Sequence, residues 1–363
     1  MRDSFSVFGA VILGASGLAF GQQPAATQQS QQPWQDQERL AQMQEVADDA
    51  IQQGYINSLE MNSKFRAFGF AQFRWMYNSI SPTGSGSRMG FNVRKAVLGV
   101  EGEVSDKWSY LVSGEWVENT SFDLRDAYVD ADFDVVDMRA GRFRAPFMAE
   151  WQVNEPDLLG NDYSVIAYTF GQGRSEGVQL SHESGPFNFL FSYNNGFEQP
   201  NNSLFNNETW GLSGRAEWHG LSFLQMGAAL AYNSVPSNQN LNWTVDGNVA
   251  LTEQWFVFSS YTGRSDDTNG DGWGVLFQTG YDYDDNLTLF GQYEVGDVSG
   301  SADMLSLVSV GGTYTFVQNV RWTTEVGYSF NGISNGWDVD QTGWSNTGTD
   351  GQALITTQLT VSF

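Results

Sequence analysis

From residue 64 the chain alternates with a period of two. Residues 64–77 place Phe65, Ala67, Gly69, Ala71, Phe73, Trp75 and Tyr77 on one face, and Arg66, Phe68, Phe70, Gln72, Arg74 and Met76 on the other. Such alternation marks a strand whose two faces meet different surroundings. The same division returns near residues 94–104, 108–117, 123–132, 136–146, 175–182, 187–195, 208–218, 222–232, 241–251, 255–263, 272–282, 286–295, 304–316, 319–330 and 352–363, making sixteen strands in all. The connections alternate in length. Residues 105–107, 220–221, 252–254, 283–285 and 317–318 are tight turns, whereas 79–88, 196–207, 233–240, 265–271, 296–302 and 331–350 are long loops. Short turns on one rim, long loops on the other and an even strand number predict an all-β fold, a transmembrane antiparallel barrel with both termini on the short-turn rim.

Aromatic spacing gives a second ruler. Trp108 and Trp116, Trp210 and Trp218, and Trp273 and Tyr281 each stand eight residues apart on one face. At ~3.3 Å per residue and a tilt near 40°, each pair spans roughly 20 Å along the barrel axis, close to the ~25 Å apolar band between aromatic girdles. Between the pairs lie Val112 and Gly114, Leu212 and Ala216, and Val275 and Phe277, while the opposite faces carry Glu115, Arg215, Glu217 and Gln278. In the last strand Ala353, Ile355, Thr357, Leu359, Val361 and Phe363 face lipid, and Thr356, Gln358, Thr360 and Ser362 face the lumen.

The rhythm stops once. Residues 148–174 run for about two dozen positions without alternation, where connections usually take a handful. Arg142, Arg144 and Pro146 precede this segment, Glu150, Glu155, Asp157 and Asp162 lie within it, and Trp151, Tyr163, Tyr168 and Phe170 are interleaved. Disordered segments are poor in aromatics. The expectation is a long third loop folded into the lumen, with Arg142, Arg144, Glu150, Glu155, Asp157 and Asp162 at the constriction.

Composition narrows the partners. The 363 residues carry 42 acidic and 17 basic side chains, a formal net charge of −25 and no Cys. Nucleic acid is excluded as a partner, because its binding rests on neutralising phosphates with Lys and Arg. Thiol nucleophiles, disulfides and thiolate metal sites are excluded as well. A mean hydropathy of −0.35 is compatible with a barrel that alternates apolar-out with polar-in. Residues 1–21, with Arg2, an apolar stretch from Phe5 to Phe20 and small residues at 19–21, read as a secretory signal peptide. Residues 22–61 form a Gln-rich periplasmic leader in which Leu40, Met43, Ala47 and Ala50 support one short helix. The barrel occupies residues 62–363.

Residues 91–116, FNVRKAVLGVEGEVSDKWSYLVSGEW, and 124–151, LRDAYVDADFDVVDMRAGRFRAPFMAEW, resemble the phosphate-selective porin O and P family, whose members carry a DAYV strand followed by G-[QR]-[FQ]-[KR]-x-P-F. The resemblance implies a sixteen-stranded trimeric outer-membrane barrel with an inward third loop, and Arg142 and Arg144 match the motif's basic positions. Phosphate selectivity does not carry over from the family. Alternation puts Arg66, Arg74, Lys95, Arg142, Arg144, Arg215 and Arg321 on the inner face, with Arg139 near a rim or a bulge. The inner acids are Glu101, Glu103, Glu115, Asp126, Asp130, Glu217, Asp246, Asp282, Glu294 and Glu325. Seven cations against ten anions make a mixed lumen. The expected function is a water-filled porin for passive diffusion of small hydrophilic solutes, weakly selective and without a cofactor. An anion- or phosphate-selective porin is the alternative. Phe363, the aromatic end of the last strand, resembles the signal that outer-membrane barrels present to the assembly machinery.

Three other chemistries fit the sequence less well. Asp267, Asn269 and Asp271 match half of a calcium loop, but its twelfth position is Gln278 instead of Glu, so a turn-rich hairpin tip is the better reading. His182 and His219 lie beside tight turns with no serine and third group at triad spacing, against a surface hydrolase. A soluble exported β-sandwich conflicts with the paired outward girdles.

Overall fold

The computed structural model describes residues 65–363 apart from 82–85, 119–121, 197–208, 236–237, 268–269 and 302. The signal peptide and the leader lie outside the described residues. The strands are β1 (Phe65–Asn78), β2 (Arg88–Ser105), β3 (Trp108–Val117), β4 (Asp123–Asp132), β5 (Asp137–Arg144), β6 (Arg174–Ser184), β7 (Phe187–Asn194) and β8 (Trp210–Leu221), followed by β9 (Leu224–Val235), β10 (Asn238–Ala250), β11 (Trp255–Asp266), β12 (Gly272–Asp282), β13 (Leu287–Val298), β14 (Leu305–Val317), β15 (Val320–Ser329) and β16 (Gln352–Ser362). Each pairs antiparallel with the next, and β1 pairs with β16, closing a sixteen-stranded barrel. Closure is what lipid demands, since an open edge would leave backbone N–H and C=O groups unpaired in hydrocarbon.

Alternation of burial follows alternation of sequence. Along β16 the even positions from Gln352 to Thr360 are buried and the odd ones half-exposed. On the outer face Val112, Leu230, Val245, Phe277, Leu289, Val310 and Trp322 are exposed, as are Trp108, Trp116 and Tyr281 of the girdle pairs. An apolar belt of this extent is far larger than a water-soluble surface carries. The closing seam has a specific fit. The Phe363 amide and carbonyl exchange hydrogen bonds with Gly69 at 3.0 and 3.2 Å. The Phe363 ring lies so close over Gly69 that a Cβ there would stand 2.7 Å from Cζ.

Two expectations change. Residues 233–240, read as a long loop, are mostly strand: β9 and β10 stay paired from Val249↔Leu224 to Asn238↔Val235. The polar Asn and Ser residues there imitate a loop in sequence while continuing the ladder. β2 also begins at Arg88 instead of near 94, extending its pairing with β1 to Asn78↔Arg88.

Five register shifts interrupt the ladders, three beside tight turns and two within the wall, where simple parity fails. Gln72 pairs with Lys95 but Phe73 with Val93, which leaves Arg94 as an extra residue. Ser113 pairs with Asp126 but Gly114 with Leu124, which leaves Arg125 extra. A bulge of this kind re-aims a side chain without ending the strand.

Candidate functional site

The segment joining β5 to β6 is built from α1 (Ala149–Gln152), a 3₁₀ turn (Glu155–Asp157) and α2 (Val165–Phe170). Ser164 caps α2, its Oγ accepting from the Ala167 amide at 2.9 Å. Glu150 fixes the cap in turn. Its Oε1 accepts from the Ser164 amide at 2.8 Å, and its Oε2 from the Ser164 hydroxyl at 2.6 Å. Burial pushes the Glu150 carboxyl up to about 7, against the pull of these hydrogen bonds.

Glu155 and Asp162 hold the segment to one arc of the wall. Lys95 Nζ reaches Glu155 Oε1 at 2.9 Å and Arg125 Nη2 reaches Oε2 at 2.6 Å, with Arg144 at 3.8 Å. Burial opposes the Glu155 charge, but the fields of Arg125, Lys95 and Arg144 outweigh it and hold the carboxyl well below its usual range. Asp162 is gripped by Arg94 through Nε at 2.7 Å and Nη2 at 3.0 Å, with Arg74 at 3.4 Å and the Tyr168 hydroxyl donating at 2.7 Å. Buried ion pairs stabilise only when hydrogen bonding is nearly complete; here the carboxylates are well partnered, while Arg74 Nε, Arg94 Nη1 and Arg144 Nε are buried without an acceptor.

Other wall residues meet the segment through its backbone. Arg144 donates to the carbonyls of Trp151 and Val153 and to the Tyr163 hydroxyl, and its guanidinium lies 5.1 Å from the Trp151 ring centroid. Arg215 on β8 donates to the Phe147 carbonyl at 2.9 Å while chelating Asp246 and pairing with Glu217. Arg321 on β15 donates to the carbonyls of Pro156 and Leu158. Glu325 accepts from the Asn161 amide at 3.2 Å, and Glu294 on β13 from the Ile166 amide at 3.0 Å.

The remaining candidates make no direct polar contact with the segment, except Asp157, which lies on it. Arg142 pairs across to Glu176 on β6 at 2.9 Å, so it is not gathered with Arg144. Gly141 precedes it with φ at 134°, where a Cβ would lie 2.2 Å from the Ala127 carbonyl oxygen. Arg139, expected near a rim, is the register partner of Asp130, chelates it at 2.7 and 3.0 Å, and stacks 3.8 Å from the Tyr128 centroid. It therefore belongs to the inner set. Arg66 pairs with Glu101 near the turn rim, Glu103 lies two residues farther along β2, and Glu115 pairs with Lys95 and Arg125. Asp157 is exposed and forms no ion pair among the described residues, and Gln152 and Asn154 are exposed beside it.

Sequence parity missed Arg94, Arg125 and Arg174, the last pairing with Asp126 at 2.8 Å. Both bulges insert one residue, and no residue type announces them. The last loop was missed too. Ile333, Trp337, Val339 and Trp344 are buried in one cluster with Phe147, Met148, Ile166 and Phe170, and the Phe170 and Trp337 rings meet edge to face at 6.0 Å. Four large apolar residues in a loop otherwise rich in Gly, Asn, Asp, Ser and Thr were the available signal. At the half calcium motif, Asp271 accepts from Ser265 at 2.8 Å, and Asn269 lies outside the described residues. Among the described residues no three acidic, His or Cys side chains are placed to share a metal.

Comparison with known proteins agrees with this architecture. The family model for phosphate-selective porin O and P matches residues 71–249. Solved structures with the same fold include the anion-selective porin from Comamonas acidovorans, at a TM-score of 0.67 and 15% identity over 83% of this chain and 100% of that one. The outer membrane channel DcaP of Acinetobacter baumannii aligns at 0.63 and 12%, over 84% and 98%. OmpT of Vibrio cholerae aligns at 0.61 and 14%, over 83% and 98%. No curated protein matches the sequence. A closed sixteen-stranded barrel with a lipid-facing belt, together with that family match, makes the chain an outer-membrane porin whose residues 71–249 match the phosphate-selective porin O and P family model.

Proposed function

We propose that the segment at residues 145–173 folds within the barrel, sets its narrowest passage, and leaves a weakly selective channel for small hydrophilic solutes. The reading is supported by the partners of that segment: β13, β15, β16, β1 and β2 hold it along one arc through the seam, and Arg215 on the distant β8 holds Phe147 at its start. One observation carries the selectivity: nearly all the cations of the β1–β6 arc are ion-paired, while among the described residues Arg321 on β15 donates only to backbone carbonyls. Arg74 and Arg94 are taken by Asp162 and Glu118, Lys95 and Arg125 by Glu155 and Glu115, Arg174 by Asp126, and Arg139 by Asp130. The transverse field expected from opposite walls of opposite sign thus largely collapses into contact pairs, and the exposed Asp157 lies in the field of Arg321 without an ion pair among the described residues. Selection by charge requires an uncompensated ring at the narrow point.

The anion-selective reading is favoured by the same cationic arc and by the printed name of the Comamonas porin. Reversal potential across a planar bilayer in a KCl gradient separates the two. A value near zero or slightly cation-selective supports weak selectivity, and a strongly anionic one overturns it. Replacing both Glu155→Gln and Asp162→Asn removes two anions, leaves Arg94 without its ion pair and shifts the potential toward anions. The protein works as a homotrimer, an assembly in which a known OmpT form was also solved, and the barrel-assembly machinery engages its Phe363 end.

A further inference from the structure

We propose that the wall against the far end of the crossing segment holds a hard divalent cation, calcium by preference, between Glu294, Glu325 and the side-chain oxygen of Asn161. These three line one small cavity of ≈ 20 Å³ together with Gln292, Ser309 and Thr356. That is room for one water-sized group. Glu294 on β13 accepts from Gln292 Nε2 at 2.8 Å and from the Ile166 amide, and Glu325 on β15 accepts from the Asn161 amide. Neither carboxylate forms an ion pair among the described residues, whereas Arg74 on β1 is already shared between Glu118 and Asp162.

Asn161 supplies the independent sign. The residue is 4% exposed, and its Nδ2 donates to Thr356 Oγ1 at 2.7 Å. Its Oδ1 is buried with no donor. Buried acceptors are normally matched. Two carboxylates and the residue with the orphaned amide oxygen thus line one small cavity, with Ser309 donating to Glu325. A positive ion answers both the uncompensated charge and the missing donor. The donors are all oxygens, which suits calcium, and magnesium is held less well because it demands near-ideal octahedral geometry. With only two charged ligands and water completing the shell, the site is weak, with a dissociation constant on the order of 10⁻⁴–10⁻³ M. Asn161 and Ile166 belong to the segment and the two glutamates to the wall, so the cation fastens one to the other. This rests on the proposed placement of the segment.

Trp344 also lines the cavity, so terbium bound there is excited through an indole. The full chain in detergent is titrated with TbCl₃ and the emission competed with CaCl₂. The expected result is tryptophan-sensitised emission displaced by calcium at roughly 10⁻⁴–10⁻³ M. That emission drops about tenfold or more in Glu294→Gln/Glu325→Gln, whose ligand charge is gone. Trp344→Phe loses emission but keeps calcium binding by calorimetry. If the double variant does not fold, Asn161→Ala and Glu325→Gln singly each weaken calcium competition. Unchanged competition in these variants places the ion on surface acids and overturns the site. An absence of calcium competition in the native protein overturns it too, the carboxylates then holding protons. Conductance measured without calcium reports the segment's placement separately, so the two readings fail independently.

Discussion

Glu155 meets Lys95 and Arg125 at 2.9 and 2.6 Å, with nearly all of its surface withdrawn from water. Removing one member of a buried pair strands the other charge at a cost of about 3–5 kcal/mol. Glu155→Gln should therefore loosen the segment before it loosens the barrel, visible as new protease cleavage within residues 148–173 while heat-modifiable migration persists. Glu150 behaves oppositely with pH. Its folded carboxyl titrates at about 7, above the 4.5 of a free one, so its contribution is complete below pH 4.5 and is lost as pH rises through 7. Glu155, held low, contributes above 4.5 and loses that contribution as pH falls. Glu150→Gln should flatten the decline in melting temperature between pH 5 and 7. An unchanged slope would assign the decline to another group. At this scale the sequence showed which residues carry charge but not which meet. Arg94 and Arg125 come inward through bulges, and a period-two reading has no term for an inserted residue.

The strands were legible because lipid on one side and water on the other force a face on every position. The two long loops were only half legible. Aromatics marked residues 148–174 as folded, yet nothing in the alternation linked them to residues 331–350. That link is an apolar contact between two irregular segments, Phe170 against Trp337 with Ile333 and Val339 alongside. Trp337 is 1% exposed, and truncating a buried Trp typically costs about 3–5 kcal/mol. Trp337→Ala should leave the barrel assembled but free the end of α2, giving larger or flickering single-channel currents. Native, steady currents from this variant would show that the last loop does not brace the constriction.

Across the whole molecule, sixteen strands close because β16 returns to β1, and the last pairing places Phe363 on Gly69. Deleting Phe363 removes two backbone hydrogen bonds and the ring at the seam. Outer-membrane levels should fall while the channels that do form keep native conductance. Undiminished levels would count against an assembly role. The central claim, that residues 145–173 line the passage, has a direct test because the chain contains no Cys. Asp157 is exposed on the segment, so Asp157→Cys offers a unique thiol. Its single-channel current is followed while a bulky methanethiosulfonate reagent is added, with labelling verified by mass. A stepwise fall in current is expected in each modified channel. Full labelling with unchanged current would contradict that placement.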